Sequence, residues 1–150
     1  MVESSELRSL IFFGSFTDQE LEAVSRIVEK KSYADNTAIF LEGLPGESLY
    51  ILTEGKVKIS KMLAEGEEKE IAVLSSGDSF GELALLDSGP RLATARVREA
   101  AEVMTIRNND VTALMTSEPL IYSKLVCNIA KQFTARLRDS SDRIKEIIRG

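Results

Sequence analysis

Apolar and polar positions divide the chain into three regions. Leu21, Val24, Ile27 and Val28 recur at helical spacing directly after Thr17-Asp-Gln-Glu20, a capping-box pattern, so the first region reads as helix up to about Glu29. From about Lys30 to Arg107 the pattern changes to short apolar runs broken by turn residues. Ala38–Leu41, Leu49–Leu52, Lys56–Met62, Lys69–Leu74, Leu92–Arg98 and Glu102–Arg107 are the predicted strands. Asp35-Asn36, Gly43 to Gly46, Glu54-Gly55, Glu65-Gly66 and Ser76-Gly77-Asp78 are the predicted turns between them. Short strands at this spacing predict an all-β sandwich or barrel, interrupted by one helical stretch, Gly81–Leu86. The third region, 108–150, is helical. Asn108 or Asn109 is positioned to cap a short helix through Met115, and Ser117 a longer one with Pro119 in its first turn. Ala130, Phe133, Leu137, Ser140, Ile144 and Ile147 then follow at alternating spacings of three and four. Such a stripe either packs a helix on its own barrel or pairs two chains.

Composition narrows the function classes. The chain has 150 residues, 43% of them hydrophobic, which suits one domain with a sizeable core. Its formal net charge of −5 argues against a DNA-binding surface, which needs clustered Lys and Arg. Histidine is absent and Cys127 is the single cysteine. That removes Ser–His and Cys–His nucleophiles, the usual zinc ligand sets and an internal disulfide, so we expect no enzyme and no metal. Cys127 falls in an apolar helical stretch and is expected to be buried as a small hydrophobe. The N-terminus has no signal-peptide pattern, and no run approaches the ~18 apolar residues of a membrane span. A cytoplasmic location is expected.

The informative stretch is Phe80-Gly-Glu-Leu-Ala-Leu-Leu-Asp-Ser-Gly-Pro-Arg-Leu-Ala-Thr-Ala95. A glycine turn enters a short helix whose N-terminal N–H groups offer an anion site. Glu82 lies in the first turn, able to accept hydrogen bonds from hydroxyls. Arg91 follows Gly89-Pro90 and opens a strand that places Arg91, Ala93, Ala95 and Val97 on one face. Two alanines beside an inward arginine leave room for a ligand. Glu82 alone reads as a helix-start carboxylate, and Arg91 alone as a solvated strand end. Together with the helix N-terminus they read as a site for a sugar phosphate.

This segment resembles, almost residue for residue, the phosphate-binding cassette of the cyclic-nucleotide-binding domain family, found in catabolite activator proteins, protein kinase A regulatory subunits and cyclic-nucleotide-gated channels. Ile39-Phe-Leu-Glu-Gly-Leu-Pro-Gly-Glu-Ser-Leu-Tyr-Ile-Leu-Thr-Glu-Gly-Lys-Val-Lys-Ile59 is similar to the family's early strands. Asn36 replaces a usual glycine, and Asn tolerates the left-handed conformation required there. The resemblance implies a mainly β fold: an eight-stranded, jelly-roll-like β-roll (30–107) with an inserted phosphate-binding helix, N-terminal helices (1–29) and C-terminal lid or dimerisation helices (108–150). By position, Glu82 would accept the ribose 2′-hydroxyl and Arg91 would pair with the cyclic phosphate. Gly81 would allow close backbone approach, and N–H groups around Leu83-Ala84 and Leu92-Ala93 would complete the cradle. Leu92 stands where a hydroxyl residue is associated with cyclic GMP, so cyclic AMP is the expected ligand and cyclic GMP the less favoured one.

The family resemblance also points to Ser140 and Ser141, following Arg136-Leu137, as contacts to adenine, one from each chain of a homodimer formed through helix 130–147. The alternative is two small residues facing solvent or filling the seam. The helix-turn-helix that follows this helix in activator proteins is not expected, since the chain stops at Gly150. The expected function is a cyclic-nucleotide sensor without DNA or membrane partners and with an unidentified downstream effector. The alternative is a degenerate member of the fold acting as an interaction module without nucleotide.

Overall fold

The computed structural model describes residues 2–64, 66–82 and 89–149. Leu83, Ala84 and most of the predicted Gly81–Leu86 helix lie outside these. The described elements are helix α1 (Ser4–Arg8), a 3₁₀ turn (Ile11–Phe13), α2 (Asp18–Ser25), strands β1 (Val28–Tyr33), β2 (Ala38–Phe40), β3 (Ser48–Met62), β4 (Glu68–Leu74), β5 (Ser79–Phe80) and β6 (Thr94–Arg107), and helices α3 (Asn108–Ser117) and α4 (Pro119–Arg149).

The N-terminal helix forms for the reason its sequence predicts. The Thr17 hydroxyl accepts from Glu20 N–H at 3.2 Å, and Glu20 Oε1 accepts from Thr17 N–H at 2.8 Å. This reciprocal cap satisfies two orphan donors. The helix ends at Ser25, earlier than the pattern implied. Val28 begins β1, which pairs antiparallel with β6 from Val28↔Ile106 to Tyr33↔Ala101.

The antiparallel sheet has the order β1-β6-β3-β4, with β2 on β6 and β5 on β3. Among the described residues the sheet is not closed. Two pairs of predicted strands prove to be single bent ribbons, β3 and β6. Six strands are thus described where eight were expected. Glu54-Gly55 is therefore a bulge within β3 and not a turn between strands. The β3–β6 register shifts around it. Gly55 has φ +86°, and a Cβ there would lie 2.3 Å from the Ala100 carbonyl, so no larger residue fits. Asn36 takes φ +64°, as the turn requires.

The core has two parts. Leu7, Phe13, Leu21 and Val24 pack with Leu49, Ile51, Ile106 and Leu125, joining helices to one end of the roll. Leu52, Val57, Phe80, Ala95, Val97 and Val103 fill the roll beneath the site. Helix α4 buries Ile121, Leu125 and Ile129, spaced four apart on one face. Lys124 Nζ donates to Ser15 O at 2.9 Å and Asn128 Nδ2 to Phe12 O at 2.6 Å, tying the same half of α4 to the N-terminal segment.

Cys127 is exposed, contrary to expectation. It sits two positions from Leu125, about 200° around the helix from the packed stripe. Neither Asn108 nor Asn109 caps α3: Arg107 holds that position and makes no side-chain cap. Ser117 Oγ instead donates back to Ala113 O, because α3 continues through Ser117 and α4 starts only at Pro119. Beyond Phe133, α4 leaves the core, with Leu137, Ile144 and Ile147 exposed. Among the described residues no helix is long and apolar enough to cross a membrane.

Candidate functional site

Arg91 lies just before β6 and is 8% exposed. The loop around it is fixed by paired hydrogen bonds, Arg91 N–H to Leu44 O and Gly43 N–H to Arg91 O, both 2.8 Å. The alternation expected from this point holds: Arg91, Ala95 and Val97 are buried, Ala93 is half-buried and Leu92 is exposed. Arg91 Nη1 donates to Gly81 O and Nη2 to Ser48 O, each at 2.8 Å. Its guanidinium carbon sits 4.1 Å from the centroid of the Phe40 ring. Tyr50 and Phe80, paired across β3 and β5, stack alongside with centroids 5.2 Å apart. Two glycines make space for this side chain. A Cβ on Gly46 would lie 2.5 Å from Arg91 Nε, and one on Gly81 would lie 2.8 Å from Nη1. Gly81 also takes φ +74°. Burial lowers the pKa of Arg91, with Tyr50 and Glu82 opposing. Arginine starts so high that it stays charged. A guanidinium has five N–H donors, so Arg91 retains some for an anion, and its buried Nε has no partner.

Glu82 is 4% exposed. Its Oε1 accepts from Arg136 Nη1 at 2.5 Å, while Oε2 is buried without a partner. Burial raises the carboxyl above its ordinary range, and Arg136, its own backbone N–H and Arg91 pull it back. Burial outweighs even this close ion pair, because the carboxylate has lost nearly all its water.

Between these residues lies a cavity of about 440 Å³, within the size of small-molecule sites. Its lining includes Phe40, Phe80, Gly81, Glu82, Arg91 and Ala93, the strand residues Ile59, Ile71, Ala72 and Leu74, and Phe133 and Arg136 of α4. Leu92 borders it at 62% exposure and offers no side-chain hydrogen bond. Gly81, Glu82, Arg91, Leu92 and Ala93 are thus brought together as expected; Leu83 and Ala84 lie outside the described residues. Ser140 and Ser141 are exposed on α4, beyond the turn that carries Arg136, and do not line the cavity. Among the described residues no group of three or more His, Cys, Asp or Glu side chains could hold a metal ion.

Sequence reasoning missed the aromatic wall of Phe40, Tyr50 and Phe80, and the roles of Phe133 and Arg136. A signal existed for the last two: they continue the Ile121, Leu125, Ile129 stripe at i+4 and i+7 from Ile129.

An antiparallel sheet with a buried arginine and a buried carboxylate flanking an apolar cavity has the shape and chemistry of a small-molecule pocket. The cyclic nucleotide-binding domain family matches residues 30–118, and the chain belongs to that family. It is 30% identical over 128 residues to a cyclic AMP receptor protein of Thermus thermophilus, covering 85% of this chain and 57% of the relative. It is also 30% identical over 109 residues to a cAMP-dependent protein kinase regulatory subunit of Blastocladiella emersonii, covering 73% of this chain and 27% of that one. The crystal structure of Thermus thermophilus catabolite activator protein superposes with a TM-score of 0.75 at 29% identity, covering 91% of this chain and 62% of that one. The chain therefore spans only part of these relatives.

Proposed function

We propose that the chain is a regulatory module that binds a cyclic nucleotide, cyclic AMP before cyclic GMP, and performs no catalysis. The observation that carries this reading is the buried pair Glu82 and Arg91. One presents a carboxylate oxygen with no partner, the other a cation with donors to spare, and both border the same cavity. Burying such groups costs several kcal/mol unless they are compensated. A ligand carrying an anionic phosphate and a neighbouring hydroxyl compensates both. The cyclic phosphate pairs with Arg91, and the ribose 2′-hydroxyl donates to Glu82. The base lies against the apolar wall of Ile71 and Leu74, under Phe133 of α4. Leu92-Ala93 contribute backbone N–H groups to the phosphate. Two of the relatives carry cyclic AMP in their names, which supports the choice of ligand.

In the same reading α4 is the lid, and its exposed stripe of Leu137, Ile144 and Ile147 pairs with a second copy of the chain. Ser140 and Ser141 then reach adenine within that helix pair, one from each chain. An intracellular messenger as ligand places the module in the cytoplasm.

Displacement of a fluorescent cyclic AMP analogue by cyclic AMP, cyclic GMP, cyclic di-GMP and 5′-AMP tests the reading. Cyclic AMP should displace it at the lowest concentration and 5′-AMP at the highest. Failure of the analogue and of every cyclic nucleotide to bind the nucleotide-free chain would instead support an interaction module that works without ligand.

A further inference from the structure

A second cavity, of about 190 Å³, lies between α3 and α4. Its lining includes Val111 of α3, Tyr122, Val126, Ile129 and Phe133 of α4, and Glu82. The four α4 residues are spaced four, three and four apart, so they share one face of that helix. Ile121 and Leu125, each one position earlier than a cavity residue, are buried, whereas Tyr122 and Val126 are only half-buried. The helix thus packs fully along one line and leaves unfilled space along the next. Among the described residues Glu82 is the one charged side chain in this lining. It is 4% exposed, and its Oε2 is buried without a partner.

We propose that the α3–α4 cavity is a second ligand site, which takes a small neutral ring compound bearing one hydroxyl, of the size of phenol, with the hydroxyl donating to Glu82. The site is separate from the nucleotide cavity, and its test needs no nucleotide.

Size sets the upper limit on the guest. An apolar cavity of about 150 Å³ takes up benzene and stays dry otherwise. A cavity of about 190 Å³ holds a single six-membered ring with one or two further heavy atoms, and nothing as large as a nucleotide. The walls set its body. Val111, Val126 and Ile129 offer only hydrocarbon, and Tyr122 and Phe133 add two aromatic rings, against which a third ring packs edge-to-face or offset.

Glu82 sets the polar end. A buried acceptor without a partner costs free energy that a donor on the guest recovers. The guest is neutral because Glu82 Oε1 is already paired with Arg136, so an ammonium would leave one buried positive charge in excess. A carboxylate guest would meet Glu82 as a like charge. Each carboxylate oxygen has two lone pairs, so a hydroxyl arriving from the α3–α4 side does not require the nucleotide cavity to be empty or filled.

The test titrates nucleotide-free chain, labelled at valine, leucine and isoleucine methyl groups, with phenol, toluene and benzylamine. Phenol should shift the methyl signals of Val111, Val126 and Ile129 saturably. It should bind about tenfold more tightly than toluene, the worth of one hydrogen bond to a charged acceptor, and more tightly than benzylamine. Glu82→Gln should narrow the preference for phenol over toluene. Val126→Phe fills the cavity from its half-buried wall and should abolish the shifts at Val111 and Ile129. Shifts confined to Ile59, Ile71 and Leu74 would place the guest in the nucleotide cavity and overturn the proposal. Equal affinity for phenol and toluene, in wild type, would also overturn it, since the cavity would then be a packing gap that accepts any apolar molecule. Tighter binding of benzylamine than of phenol would overturn the neutral class of guest. None of these outcomes depends on whether cyclic AMP binds.

Discussion

The guanidinium of Arg91 lies over the ring of Phe40, 4.1 Å from its centroid, held there by the carbonyls of Gly81 and Ser48. The ring and the two carbonyls fix the side chain before any ligand arrives, so little rotamer entropy remains to be lost on binding. The arrangement also ties Arg91 into the fold. Arg91→Ala should weaken cyclic AMP binding at least tenfold, since a hydrogen bond to a charged group contributes about 1.5–3 kcal/mol. It should also lower stability by about 1–3 kcal/mol, because two carbonyls lose their donor. Arg91→Lys keeps the charge but not the fork, and should retain more stability than affinity. Titration and urea unfolding of the three proteins check this.

Glu82 gives the binding reaction a pH dependence. Its carboxyl is raised by burial in the ligand-free chain. For a raised acid, the contribution to stability is full below the ordinary glutamate range and is lost as pH rises through the raised value. The hydroxyl of a ligand donates to the ionised form, so affinity should rise over that same interval. As pH rises above the ordinary glutamate range, cyclic AMP affinity should increase for wild type and stay flatter for Glu82→Gln. Loss of the slope with 2′-deoxy cyclic AMP would assign it to the hydroxyl.

The exposed side chains of α4 predict assembly. Leu137 is 69%, Ile144 57% and Ile147 79% exposed, at spacings of seven and three. An apolar stripe of this period favours a partner helix. Sedimentation should show a dimer, and Leu137→Asp with Ile144→Asp should give monomers. Ser140→Ala with Ser141→Ala should leave the dimer intact and reduce the preference for cyclic AMP over cyclic GMP. A wild-type monomer that binds selectively would refute the paired-helix site.

Gly55 tests the bent ribbon. Its φ of +86° and the nearby Ala100 carbonyl leave no room for a methyl group. Gly55→Ala should cost at least about 1–3 kcal/mol in urea unfolding. An unchanged midpoint would show that the bulge relaxes freely.

What could be read from the sequence was local. Thr17 and Glu20 lie three positions apart, so their cap is visible as a pattern, and Asn36 announces its own left-handed turn. Glu82 and Arg91 were legible because both stand in one contiguous segment with a recognisable order of residues. Arg136 reaches Glu82 across 54 positions, and nothing near either residue announces the other. The stack of Tyr50 on Phe80 depends on the register between β3 and β5, which spacing alone leaves open. Gly55 was misread for a related reason. A glycine with positive φ serves a bulge as well as a turn, and only the pairing of β3 with β6 distinguishes them. Cys127 was misplaced because the apolar stretch around it holds both faces of α4, and only packing decides which one faces the core.

The most direct test of the central claim is a calorimetric titration of the nucleotide-free chain with cyclic AMP, wild type beside Arg91→Ala. Saturable binding of one cyclic AMP per chain, weakened at least tenfold by the substitution, is the expected result. No binding, or equal affinity in the two proteins, would contradict the claim that the cavity between Arg91 and Glu82 is a cyclic-nucleotide site.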